Sequence, residues 1–250
     1  MVDSAPRPPT AGMVVIGNEI LTGKVIDTNS PFLCRELAFL GVDLRRITTI
    51  GDDFEEIGRV ARYFSEHFDW VFTSGGVGPT HDDITIPAIA AGFGVRAVPH
   101  PQLVEAIRRH YGERCTEAHL LMALVPEGAE LIDIPGRSHP QVLFRNVFIM
   151  PGVPQLFQIR VSGVKGRLGG APLILREIFL QADEGTIAAT LKAVDDAFPD
   201  VLIGSYPNFF RAEYSVKVTV ESRSEPPVQA AFADLFARLQ NLGVTIVRVS

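Results

Sequence analysis

Cysteine is almost missing from this chain: Cys34 and Cys115 are the two among 250 residues. They stand far apart without metal-ligand spacing, which excludes a disulfide framework and a cysteine-based zinc site. Cys34 falls among Phe32, Leu33 and Leu37 in an amphipathic stretch, where a buried structural thiol is expected. An excess of positive charge is missing as well. Against 29 Asp and Glu there are 23 Lys and Arg, a formal net charge of -6, and a nucleic-acid platform would show a basic face. No apolar run reaches the roughly 20 residues of a membrane-spanning helix, so no membrane partner is expected and cytoplasm is the default. His100, His110 and His119 have no second ligand at metal-binding spacing and read as surface or capping residues. Neither the Walker pattern nor Gly-x-Gly-x-x-Gly occurs, so an ordinary mononucleotide P-loop and a dinucleotide fingerprint are both excluded.

What the chain does carry is one glycine-rich stretch, Thr73-Ser74-Gly75-Gly76-Val77-Gly78-Pro79-Thr80-His81-Asp82-Asp83-Ile84-Thr85. It follows the apolar run Trp70-Val71-Phe72 and leads into a helical pattern from Ile84 to Ala91, which makes it a strand-to-helix loop. Glycines at 75, 76 and 78 permit positive φ and close approach, and their bare amides can form an anion-binding nest. Asp82 and Asp83 beside them would repel a phosphate unless a divalent cation stood between. The alternative is structural, with Asp82 or Asp83 capping the helix that follows. His81 sits in the loop but is not taken as a base.

Around that loop the chain alternates strand and helix. Met13 to Ile16 reads as a first buried strand ending at Gly17, with Asn18 and Glu19 at its carboxyl end, where open parallel sheets place ligands. Ser30 and Pro31 read as cap and first residue of the next helix, which leaves Asp27 free for a ligand. Val42 to Ile50 reads as a strand, and Asp53 with Glu56 has capping-box spacing, a structural acidic pair. Helices are expected over 99–111 and 116–124. Strands are expected over 131–134 and 142–150, the latter broken by an Arg145-Asn146 turn, and Pro151-Gly152-Val153-Pro154 turns into a helix through about Arg160. Residues 163–172, rich in glycine and basic residues, read as a linker. The order strand, helix, strand, strand, helix, strand over 173–249 is the split βαβ, ferredoxin-like pattern. Gly204-Ser205-Tyr206-Pro207 reads there as a turn with a packed tyrosine. The expected fold class is α/β, a three-layer α/β/α domain over 12–162 followed by a small α+β domain over 173–250, with a disordered proline-rich leader over 1–11.

The stretch 74–85 resembles the signature of the molybdopterin-binding, molybdenum-cofactor-biosynthesis-like domain family. Further matching segments are Gly17-Asn18-Glu19-Ile20-Leu21-Thr22-Gly23, Asp27-Thr28-Asn29, Phe32-Leu33-Cys34-Arg35, Arg145-Asn146-Val147-Phe148, Pro151-Gly152-Val153-Pro154 and Gly204-Ser205-Tyr206-Pro207, in family order. Within the family the chain looks most like the N-terminal domain of eukaryotic FAD synthases, then like the N-terminal part of competence/damage-inducible protein A. Pro135-Gly136-Arg137-Ser138-His139 departs from the Asn-Pro-x-Gly-type segment of the latter. Asn18 stands where the family usually has Asp, so no metal is assigned to it.

The resemblance implies a metal-dependent nucleotide pyrophosphatase acting on FAD or ADP-ribose and releasing AMP, or a module that holds molybdopterin or a nucleotide without turnover. Asp82, Asp83 and Glu19 are the expected metal ligands, with Asp27 as the fourth catalytic acid. Gly17, Asn18, Thr28, Asn29, Ser74, Gly75, Gly76, Gly78, Pro79, Thr80, Thr85, Pro151 and Gly152 are the expected substrate contacts. Magnesium, manganese or cobalt is the expected cofactor, with potassium as a second ion, and a homodimer the expected assembly. No adenylyl-transfer or amidase continuation follows in this sequence, so neither FAD synthesis nor deamidation of nicotinamide mononucleotide is expected of it.

Overall fold

The structure, a computed structural model, describes residues 7–137, 139–208 and 213–250. It divides into two compact units, at Gly170 and Ala171. The first begins with β1 (Thr10–Ile16), α1 (Asn18–Leu21), α2 (Asn29–Phe39), β2 (Asp43–Ile50), α3 (Phe54–His67), β3 (Trp70–Ser74) and α4 (Thr85–Gly92). It continues with β4 (Ala97–Pro99), α5 (Pro101–Tyr111), α6 (Glu117–Leu121), β5 (Leu124–Pro126), β6 (Glu130–Ile132), β7 (Gln141–Phe144), β8 (Val147–Ile149) and α7 (Pro154–Leu168).

Six of these strands form one sheet in the order β2-β1-β3-β8-β7-β6. β2, β1, β3 and β8 run parallel, and the β7–β8 hairpin and β6 close the sheet with antiparallel pairs. β1 and β3 are buried on both faces, as a covered parallel sheet requires. One face packs Ile57 and Phe64 of α3, Ile89 of α4 and Ile107 of α5 against the sheet. The other packs Leu33 and Leu37 of α2 with Phe157, Val161 and Leu168 of α7. These two cores make the three layers that the alternating pattern predicts.

The second unit contains β9 (Ile174–Gln181), α8 (Glu184–Ala197), β10 (Leu202–Pro207), β11 (Val216–Ser222), α9 (Glu225–Asn241) and β12 (Thr245–Val249). Its antiparallel sheet has the order β10-β11-β9-β12, the ferredoxin-like arrangement. Val216, Val218 and Val220 face a core with Ile187 and Val194 of α8 and with Leu235 and Leu239 of α9.

Several elements differ from the sequence expectation. Of the supposed leader, residues 1–6 lie outside the described residues. Residues 7–11 are ordered: Arg7 pairs with Asp69 at 2.8 Å, and Thr10 opens β1. The supposed linker 163–172 is helical as far as Leu168, because Val164 and Leu168 continue the buried stripe of Phe157 and Val161 at helical spacing. Lys165 with Glu36 and Arg167 with Glu130 pair that last turn, and Trp70 donates to the Leu168 carbonyl at 3.0 Å. Leu124, expected to end a helix, opens β5 instead, paired with β4. Gly204–Pro207 is no turn; it lies in β10, and Tyr206 is exposed with the Lys217 ammonium 5.1 Å from its ring centre. Cys34 is half-buried and not fully enclosed.

Candidate functional site

Parallel strands end together, and here β1, β3 and β8 deliver three loops to one cleft of about 520 Å³. The glycine loop supplies Ser74, Gly75, Gly76, Gly78 and Asp83. The segment around the start of α2 supplies Asp27, Thr28 and Asn29, with Glu19 from α1. The loop after β8 supplies Pro151 and Gly152.

Each glycine in the loop has a separate cause. Gly75 has φ +117°, and a Cβ there would lie 2.1 Å from the Ile16 carbonyl oxygen. Gly76 has φ +65°, with the Thr85 hydroxyl 2.3 Å from any Cβ, and a Cβ on Gly78 would meet the Asp83 carboxylate at 2.6 Å. The amides of Gly76, Val77 and Gly78 donate to no protein acceptor among the described residues, so a row of N–H groups is left for an anion. Thr85 closes the loop, its amide donating to the Gly76 carbonyl and its hydroxyl to the Gly75 carbonyl.

Asp83 fixes the tail of the loop, where Oδ2 accepts from the Thr80 amide at 2.8 Å and the Thr80 hydroxyl at 2.5 Å. Asp82, Pro79, Thr80 and His81 are exposed, and none of them lines the cleft. The cleft therefore receives Asp83 and not Asp82. Gly17 and Asn18 lie outside its wall as well; the Asn18 amide donates to Asp52, and Glu19 folds back against Gly17. Thr85 is fully buried beneath the loop, so it acts through the backbone.

Asp27 has the structural task that the sequence reading gave to Ser30. Its Oδ1 accepts from the amides of Asn29 and Ser30, at 2.9 and 3.0 Å, and α2 begins at Asn29. Ser30 turns inward, its hydroxyl 3.4 Å from the Met13 sulfur. Asp27 Oδ2 is not used by the cap. Asn29 is buried, and its amide nitrogen donates to the Ser74 hydroxyl at 2.9 Å and the Gly152 carbonyl at 2.8 Å. Its Oδ1 is buried with no partner. An orphaned amide oxygen at a cleft wall is a costly feature unless a ligand's donor or a cation meets it.

Among the described residues, no three His, Cys, Asp or Glu side chains gather as a metal cage. Asp83, Glu19 and Asp27 nonetheless line one cleft. That donor set fits a hard cation of the magnesium type, which is commonly held by one or two carboxylates together with substrate phosphates. It does not fit a resident all-protein site.

A parallel sheet with a glycine loop at the β3–α4 junction and acids at the neighbouring strand ends define an α/β/α module. The chain belongs to the family described as probable molybdopterin binding domain, which matches residues 12–164; residues 172–247 match the FAD synthase middle domain. It is 33% identical to a probable FAD synthase of Caenorhabditis elegans, over 92% of this chain and 50% of that protein. It is 32% identical to Protein TK1472 of Thermococcus kodakarensis, over 86% of this chain and 92% of that one. A solved structure of the protein CinA from Thermoplasma acidophilum, of unknown function, is 31% identical, with a TM-score of 0.59 over 64% of this chain and 98% of that chain. The chain spans about half the length of the FAD synthase relatives it matches.

Proposed function

We propose that the cleft binds a nucleotide through its pyrophosphate and hydrolyses the bond between the phosphates, releasing AMP from FAD- or ADP-ribose-type substrates. The observation that supports this reading is the meeting, in one cleft, of the unpaired amides of 76–78 with Asp83, Glu19 and Asp27. The amides bind a phosphate without spending side-chain charge. Asp83 is rigid, because Thr80 holds one of its oxygens. Asp27 offers its uncapped oxygen to the attacking water or a ribose hydroxyl. Asp83 and Glu19 would hold a divalent cation, which would neutralise the phosphates and lower the pKa of the nucleophilic water.

The test is AMP release, followed by chromatography, from FAD and separately from ADP-ribose with magnesium, manganese or cobalt, and with potassium added or withheld. Metal-dependent AMP that disappears in Asp83→Ala supports the hydrolase. A second reading, a non-catalytic pterin- or nucleotide-holding module, is favoured by Asn18 in place of an acid. It predicts stoichiometric binding and no product under any of these ions.

A further inference from the structure

A second cavity, of about 430 Å³, lies beside the cleft and shares Val77, Met122, Pro151 and Leu156 with it. Its polar lining comes from separate parts of the first unit. His110 and Tyr111 end α5, Arg137 and His139 lie between β6 and β7, Gln141 opens β7, and Arg160 projects from α7. The rest of the lining is apolar, and among the described residues no Asp or Glu takes part in it.

Four basic side chains thus share one apolar cavity with no acid. His139 and Arg160 are half-buried, and His110 and Arg137 are exposed. The His110 and His139 ring centres are 6.0 Å apart, and the Arg160 guanidinium donates to the His139 carbonyl. Neither Arg137 nor Arg160 has a carboxylate partner among the described residues. Burial first, then Arg160 and His110, pushes the His139 imidazole below its ordinary value; burial, then Arg137, does the same to the Arg160 guanidinium. Bases that depress one another gain when an anion enters among them. Gln141 sets a further requirement. It is 1% exposed and spends its amide nitrogen on the carbonyls of Val142 and Ile149, at 2.6 and 2.8 Å. Its amide oxygen receives no donor among the described residues and remains an acceptor on the cavity wall.

We propose that this second cavity binds an aromatic hydroxy acid, with its carboxylate on Arg160, its ring against the apolar walls and Tyr111, and its hydroxyl donating to the Gln141 oxygen. A carboxylate accepts the parallel N–H groups of a guanidinium, and a flat apolar body fills walls that inorganic phosphate would leave bare. The donor is a hydroxyl and not an ammonium, because a cation would face four bases with no acid to meet it. The site uses none of Asp83, Glu19 or Asp27, so it stands apart from the proposed hydrolysis.

The experiment titrates the full chain by calorimetry with the three isomers of hydroxybenzoate, with benzoate, with phenol and with inorganic phosphate. The expected result is that one hydroxybenzoate isomer binds with a Kd below about 1 mM and benzoate about fivefold more weakly, for want of one hydrogen bond. Phenol gives no heat at the same concentrations, and phosphate does not displace the acid. Arg160→Gln weakens both acids about tenfold or more, whereas Gln141→Leu brings the preferred isomer to the level of benzoate and leaves benzoate unchanged. Absence of binding by every isomer at about 10 mM, phenol binding as tightly as the acids, displacement by phosphate, or unchanged affinity in Arg160→Gln would overturn the proposal. Arg160 is half-buried on a helix surface, and thermal melts of that variant that match the parent tie its loss of affinity to the cavity.

Discussion

The two units use the same mixture of strands and helices, yet only the first places buried polarity at its strand ends. β2, β1, β3 and β8 run parallel and bring their following loops to one edge. In the second unit every neighbouring pair in the sheet is antiparallel, so the loops that follow adjacent strands leave at opposite edges. Among the described residues, Thr219 is the buried polar residue of the second unit, whereas Asn29, Ser30, Thr73, Ser74, Thr85 and Gln141 belong to the first. Buried polar groups cost stability unless they are matched, so a fold that gathers them in one place marks a site.

The sharpest way to test that contrast is Asp83→Ala, expected to lower AMP release about 1000-fold, or roughly 4 kcal/mol of barrier, with the melting temperature nearly unchanged. Asp82→Ala, one residue away but outside the cleft, is expected to cost less than tenfold in the same assay. Next comes packing in the second unit: Leu235→Ala, at 0% exposure, is expected to cost about 3 kcal/mol by chemical denaturation while AMP release stays within twofold. A large loss of activity there would break the contrast.

Glycine substitution compares the two units directly. Gly75→Ala forces a Cβ against a backbone carbonyl at positive φ and is expected to cost about 3 kcal/mol. In Gly204→Ala the nearest atoms are the Thr219 hydroxyl and the Tyr206 ring, side chains that can move, and about 1 kcal/mol is expected. The smallest effect is at Asp69, whose carboxyl is held far below its usual range by Arg7 first and then by the Thr10 amide. A depressed folded-state value stabilises above the unfolded pKa of about 4 and ceases to do so as pH falls below it. With the side chain 35% exposed, Asp69→Asn is expected to cost about 1 kcal/mol at pH 7, and the gap from the parent should narrow below pH 4 in thermal melts.

Much of this was legible in the sequence because local rules and tertiary packing agree. The β3–α4 loop is announced by its glycines, and the Arg145-Asn146 hairpin by the break between two apolar runs, with Arg145 at φ 55° in the turn. Legibility failed where a residue's partner lies elsewhere in the chain. Ser30 and Asp27 are equally good capping side chains by type, but Met13 lies across from Ser30 and Asp27 accepts the first amides of the helix. The last turn of α7 looks like a linker because Gly163 and Gly166 interrupt it, yet Gly163 fits against Ile134, where a Cβ would come within 2.8 Å. The second cavity had no motif at all. Gln141 and Arg160 are 19 positions apart, and an isolated Gln in a strand carries no sequence signal of its own.

The amide of Asn29 ties together Ser74 and the Gly152 carbonyl, and the Gly75 amide donates to Met150. Three segments more than 120 residues apart at their extremes are thus pinned to one another from beneath. The floor of the cleft behaves as a single tile, already laid before a ligand arrives. Little backbone freedom remains to be surrendered on association, so selectivity must be decided at the rim. There Ile26 stands 82% exposed and Val153 53% exposed, an apolar lip that any incoming ligand has to cross before it meets the amides.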